Sequence, residues 1–219
     1  MEEYKVSQKV RSLRHVGLIG GTFDPIHYGH LVIAEEVRAT LNLSKMVFIP
    51  AGEPPHKPDR KVTAAHHRLE MLRLAIASNP HFSYSRVELD RPGPSYLVKT
   101  LQLLHEQWDT DTVQTAPYFL IGWDSLEELH TWYNPLGILA QLAHLVAVSR
   151  PGYTEDTEYL KKLEQRLPGI TGLLLVVQAP QLAISSTDLR HRVAQGRPIK
   201  YQTPEVVEQY IKGHELYRS

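Results

Sequence analysis

Two histidines three residues apart, His27 and His30, close a glycine-rich run, Gly20-Gly21-Thr22-Phe23-Asp24-Pro25-Ile26-His27-Tyr28-Gly29-His30. Residues 16–19 lead into it with strand character, and residues 31–38 lead out with helical character. Backbone N–H groups at a helix start attract phosphate, and glycines let the anion come close. Two imidazoles at this spacing reach the same anion, so the chemistry to expect is the holding and reaction of a nucleoside triphosphate. The run is neither the dinucleotide G-x-G-x-x-G pattern nor a Walker A loop, which needs Gly-Lys-Ser/Thr. Two other readings stand beside it: a tight turn with incidental histidines, and a His-x-x-His metal pair with no obvious third ligand nearby.

A second run, Ile184-Ser185-Ser186-Thr187-Asp188-Leu189-Arg190, follows the last predicted strand and opens a helix. Hydroxyls and free N–H groups form another phosphate cradle there, and Arg190 adds a fork of donors. Alone, the run reads as an ordinary helix cap. Paired with the first run, it suits a triphosphate plus a second phosphate. Pro55-His56-Lys57 lies in a proline-rich loop, residues 51–60. A lysine there is a solvated charge, unless a phosphate site lies beside it, where it becomes a clamp. Ile121-Gly122-Trp123-Asp124-Ser125-Leu126 precedes Thr131-Trp132-Tyr133, whose aromatics either pack a core or stack on a planar ring.

The elements that must position these groups follow from periodicity. Strands are predicted at residues 16–19, 46–50, 82–89, 118–121, 144–148 and 173–177. Helices are predicted near 29–41, 63–78, 95–108, 135–142, 155–167, 186–195 and 204–213, with Thr63, Ser95, Ser186 and Thr203-Pro204 as start signals. Such alternation predicts an α/β fold with a mainly parallel sheet covered on both faces. Residues 1–14 are polar and charged and read as a loose extension, with one domain over 15–219 whose part beyond residue 180 is helical.

Composition bounds the rest. The 219 residues carry 24 Lys+Arg against 24 Asp+Glu, so no global field favours nucleic acid or an anionic membrane. The absence of cysteine excludes a disulfide scaffold, a thiolate zinc site and a cysteine nucleophile. Neither a secretory h-region nor a spanning apolar run is visible, so a cytoplasmic protein is expected.

Taken together, GGTFDPIHYGH, PHK, Gly93-Pro94-Ser95-Tyr96, IGWDSLEEL, Ser149-Arg150-Pro151-Gly152 and ISSTDLR resemble the bacterial nicotinate-mononucleotide adenylyltransferases, in the same order, from about residue 16 onward. These belong to the nucleotidyltransferases with a Rossmann-like, doubly wound fold. Trp123, Leu97 and His130 depart from that pattern, which usually has a small residue or Gln, Thr and Pro at those places. The resemblance implies transfer of AMP from ATP to nicotinate mononucleotide, giving nicotinate adenine dinucleotide and pyrophosphate, with magnesium as the metal partner of ATP.

It also implies roles. Gly20, Gly21, Thr22 and Phe23 would contact ATP through the backbone, and His27 and His30 would contact its phosphates, His30 at the α-phosphate. Lys57 would neutralise phosphate charge, and Ser186, Thr187 and Arg190 would hold the β- and γ-phosphates. Asp124 would bond a ribose or the nucleotide loop. His56, Lys57, Ser95, Tyr96, Leu97, Trp132 and Tyr133 would bind the mononucleotide. The chemistry of the residues agrees, because a phosphate monoester is largely dianionic at neutral pH and needs no general base. Three alternatives remain: another adenylyl- or cytidylyltransferase such as a phosphopantetheine enzyme, a silent nucleotide-binding sensor, and a zinc hydrolase built on His27 and His30.

Overall fold

The computed structural model describes residues 11–53, 62–149, 157–180 and 182–218. Among them, six strands form one sheet: β1 (Ser12–Gly21), β2 (Lys45–Pro50), β3 (Phe82–Tyr84), β4 (Val113–Gly122), β5 (His144–Ser149) and β6 (Leu174–Gln178). Every pairing is parallel, and the order is β3-β2-β1-β4-β5-β6. Chain order therefore reverses between β1 and β4. The crevice beyond the carboxyl ends of two such strands is where open α/β sheets bind ligands.

Alternation along each strand splits the core in two. Val16 and Leu18 of β1, Phe119 and Ile121 of β4, and Leu145 and Ala147 of β5 face one cluster. Helices α3 (Leu97–Trp108), α4 (Trp123–Glu128), α5 (Pro135–Leu139), α6 (Thr157–Arg166) and α7 (Ile170–Leu173) cover that side. Ile19, Leu120, Val146 and Val148 face the other, under α1 (Tyr28–Thr40), α2 (Ala65–Ile76), α8 (Ser186–Ala194) and α9 (Glu205–Gly213). Strands buried on both faces explain why the sequence shows near-continuous apolar runs rather than alternation.

Several boundaries differ from expectation, among them the start of β4, at Val113 rather than residue 118. β1 begins at Ser12, because residues 12–14 pair with Val113–Thr115 of β4 instead of trailing loose. β3 stops at Tyr84 rather than residue 89. There Ser85 still donates its amide to Phe48, and then the chain turns, with the Asp90 amide on the Arg86 carbonyl and an Arg86–Asp90 ion pair. Helices α4 and α7 were not expected, being only 6 and 4 residues long. No helix among the described residues is long and apolar enough to cross a membrane.

Candidate active site

At the carboxyl end of β1 the chain passes Gly21 and turns sharply through Phe23, whose φ is +49°. A Cβ on Gly21 would lie 2.9 Å from the Phe23 ring, so glycine is needed for the ring to fold back. That ring is 1% exposed and meets His30 edge-on at 5.2 Å and Phe48 at 5.8 Å. It forms an apolar backing for His30. The residue before α1 is His27, and His30 is the third residue of its first turn. The two rings stack at 3.7 Å. A Cβ on Gly29 would lie 2.9 Å from His27 Nδ1, so the second glycine makes room for the imidazole.

Electrostatics of the pair follow from this packing. Burial lowers the His27 pKa to about 4. Burial, and then repulsion from His27, lowers His30 to about 3. Both rings are therefore neutral at neutral pH. The His27 amide donates to His30 Nδ1 at 3.3 Å. A neutral His30 that accepts at Nδ1 carries its hydrogen on Nε2, a donor for an anion. No described residue accepts from the Thr22 or Phe23 amide.

The carbonyls of the loop are held from outside. Arg68 Nη1 donates to Thr22 at 2.9 Å, Arg190 Nη1 to Asp24 at 2.6 Å, Ser186 Oγ to Pro25 at 2.9 Å and Thr203 Oγ1 to Ile26 at 2.8 Å. With the acceptors turned outward and bound, the loop presents amides and imidazoles. The two expected phosphate motifs thus meet directly, through Ser186 and Arg190. Ser185 caps α8 by accepting from the Asp188 amide at 3.1 Å, which leaves Ser186 for the loop. Arg190 Nη2 also donates to Thr187 Oγ1 at 3.3 Å.

The other expected residues lie around this cradle at different depths. Gly20 is the penultimate residue of β1 and pairs with Ile49. Asp124 is exposed in the first turn of α4, at the carboxyl end of β4. Ser95 is docked on the segment after β2, with its amide on the Glu53 carbonyl at 2.9 Å and its Oγ accepting from Gly52 at 3.0 Å. Tyr96 precedes α3, and Leu97 is its buried first residue. Tyr133 stacks on Tyr96 at 4.5 Å and is 57% exposed, whereas Trp132 packs half-buried against the core. The expectation grouped these two aromatics, but the structure separates them. Trp123 stacks on Tyr159 at 5.4 Å against the same core. His56 and Lys57 lie outside the described residues.

Arg68, Thr203 and Tyr217 escaped sequence reasoning. Arg68 is 2% exposed and also donates Nε to the Thr63 carbonyl at 2.9 Å. A signal for it existed, since Arg68, Met71, Leu72 and Ile76 form one helical stripe of buried positions. A cation on an apolar stripe has a partner to serve. Thr203 reads in the sequence as a helix start signal, whereas its hydroxyl serves the Ile26 carbonyl, and nothing local marks Tyr217.

The donor set bears on metals. Around the cradle the described residues offer amides, imidazoles, hydroxyls and a guanidinium. The Asp24 carboxylate is occupied by Tyr217 and Thr63, and among the described residues no cluster of three His, Asp or Glu is placed to hold a metal. These groups fit a cation that arrives on triphosphate oxygens and water, not one in a protein cage.

Comparison with known proteins agrees with the geometry. Residues 18–192 match the cytidylyltransferase-like family model, so fold and cradle define a nucleotidyltransferase. A probable nicotinate-nucleotide adenylyltransferase of Roseiflexus castenholzii is 53% identical over 92% of this chain and 97% of that protein. One from Thermomicrobium roseum is 46% identical over 94% and 93%. The chain belongs to the nicotinate-nucleotide adenylyltransferase family. The fold is also that of the Plasmodium falciparum nicotinic acid mononucleotide adenylyltransferase solved with NaAD, with a TM-score of 0.70, 20% identity and coverage of 93% and 97%.

Proposed function

We propose that this protein transfers AMP from ATP to nicotinate mononucleotide, releasing pyrophosphate and forming nicotinate adenine dinucleotide. The observation that carries the reading is the union of the two phosphate motifs: Ser186 and Arg190 of one hold the carbonyls of Pro25 and Asp24 in the other. The amides of residues 22 and 23, the imidazoles of His27 and His30, and the remaining Arg190 donors are the groups that receive the triphosphate in this reading.

The mononucleotide phosphate attacks the α-phosphorus in line. It is already dianionic near pH 7, so no base is required. Catalysis is then positioning and charge stabilisation. His30 Nε2–H donates to the non-bridging α-phosphate oxygen as its charge grows, and the Phe23 ring keeps that imidazole in place. His27 and the loop amides hold the triphosphate, and Arg190 with Thr187 takes the β- and γ-oxygens that leave as pyrophosphate. Lys57, by the family resemblance, neutralises phosphate charge. Magnesium, carried on phosphate oxygens and water, supplies further neutralisation when ATP is bound.

On the acceptor side, Ser95, Tyr96 and Leu97 bring the start of α3 to the substrate, where free N–H groups favour a carboxylate over an amide. Tyr133, paired with Tyr96, offers the exposed ring face for the pyridine, and Asp124 bonds a ribose. The test is kcat/KM for nicotinate and nicotinamide mononucleotides at saturating ATP and magnesium. The acid is expected to be preferred by roughly 10–1,000-fold, about 1.4 to 4 kcal/mol. Equal values would overturn the assignment of the α3 start. Absence of pyrophosphate release with either would overturn the activity itself.

A further inference from the structure

One tie on the phosphate loop runs through a side chain that the reaction does not use. The Asp24 carboxylate is 4% exposed and receives two donors, Tyr217 O–H on Oδ1 at 2.6 Å and the Thr63 amide on Oδ2 at 3.2 Å. The charge of Arg68 lies close enough to act on it. Burial first, then the Asp24 charge and hydrogen bond, push the Tyr217 pKa far up, so the phenol is always a donor. A hydroxyl on a carboxylate at this length belongs to the stronger, charge-assisted class. Glu215 and Tyr217 both hold left-handed backbone, at φ +52° and +63°. Non-glycine residues occupy that region only where the surroundings hold them there.

The carbonyl of the same Asp24 takes Arg190 Nη1 at 2.6 Å, and the preceding residue is Phe23, which backs His30. Any movement of Asp24 is therefore transmitted to the guanidinium on one side and the imidazole on the other. Arg190 and Tyr217 also line one cavity of about 390 Å³ with Thr63 and His191, so the two side chains share a wall.

We propose that Tyr217 is a positioning residue for the phosphate site. By fixing Asp24 it sets where Arg190 presents its free donors to the triphosphate. This role rests on the adenylyltransferase reading, with Arg190 on phosphate.

The experiment is a double-mutant cycle of wild type, Tyr217→Phe, Arg190→Ala and the double variant. It is read as dinucleotide formation from ATP and nicotinate mononucleotide, as ATP affinity by calorimetry, and as melting temperature. Tyr217→Phe removes one oxygen and keeps the ring. It is expected to lower kcat/KM for ATP about tenfold, or 1.4 kcal/mol, with KM for the mononucleotide unchanged. In the Arg190→Ala background the same change should cost less than about twofold. Equal costs in both backgrounds, or a lower melting temperature with unchanged kinetics, overturn the role. If Tyr217→Phe does not fold, Asp24→Asn takes its place in the cycle, and a loss independent of Arg190 overturns the role in the same way. A wild type without turnover refutes the activity, while the calorimetric cycle still decides the Tyr217 role.

Discussion

The loop from Thr22 to Tyr28 is held by side chains at four of its carbonyls, while the segment around Ser95, Tyr96 and Tyr133 is held by the Ser95 amide on Glu53, the Gly52 amide on Ser95 Oγ, the Thr100 hydroxyl on the Tyr96 carbonyl and one ring stack. The first rim buries the rings of Phe23 and His27, and the second leaves Tyr133 57% exposed. The contrast matches the chemistry expected at each. Stabilising charge in a transition state demands donors fixed before the reaction begins, because reorganisation would forfeit the gain. Stacking a planar ring tolerates small displacements, since its energy is spread over an area.

The sharpest way to break the comparison is His30→Ala. Loss of one preorganised donor should lower kcat about 100- to 1,000-fold, with KM for ATP changed less than about threefold. Steady-state kinetics on the folded variant decide it, and a near-normal kcat would remove His30 from the reacting centre. Arg190→Lys comes next. An ammonium cannot serve the Asp24 carbonyl, Thr187 and a phosphate from one rigid fork, so ATP should bind about tenfold more weakly by calorimetry. Tyr133→Ala probes the looser rim. It should raise KM for the mononucleotide about threefold and leave kcat and the acid-to-amide ratio unchanged, because a ring face serves both substrates alike. A fall in kcat to match that of His30→Ala would show the two rims to be equally rigid.

A smaller effect concerns acid. Folded His27 and His30 take protons only near pH 4 and 3, whereas an unfolded imidazole does so near 6.5. Between those values the unfolded chain binds more protons, so stability is full above about pH 6.5 and declines as pH falls toward 4. The melting temperature should drop over that window, and less in the His30→Ala variant, which has one such group fewer. Equal slopes in wild type and variant would contradict the buried, neutral state of the ring.

Much of this is legible in the sequence alone. The six strands follow from apolar runs such as residues 46–50 and 144–148, and the parallel class from their alternation with helical segments along the chain. His27, His30, Ser186 and Arg190 were marked by type and spacing. Their juxtaposition was not, because Ser186 and Pro25 lie 161 residues apart and nothing local encodes that meeting. Arg68 was readable from its stripe, but its service to the Thr22 carbonyl was not. Residues 85–89 misled because Val87 and Glu88 are buried by a turn, with Glu88 accepting from the Thr100 hydroxyl at 2.7 Å, and burial in a turn imitates a strand. Trp132 and Tyr133 look alike in sequence, and only packing tells the anchored ring from the exposed one.

The ties on the first loop also set an order of events during synthesis. They close spans of 46 residues at Thr22, 166 at Asp24, 161 at Pro25 and 177 at Ile26. Contacts so distant along the chain form late, after the loop-closure entropy has been met by the sheet. A nascent chain that has not yet emitted Arg190 and Thr203 can pair β1 with β2 and β4 and still lack a formed cradle. Nucleotide binding therefore reports completion of the chain's folding, and a fluorescent ATP analogue added to stalled ribosomal chains of increasing length should begin to bind only once residue 203 has emerged.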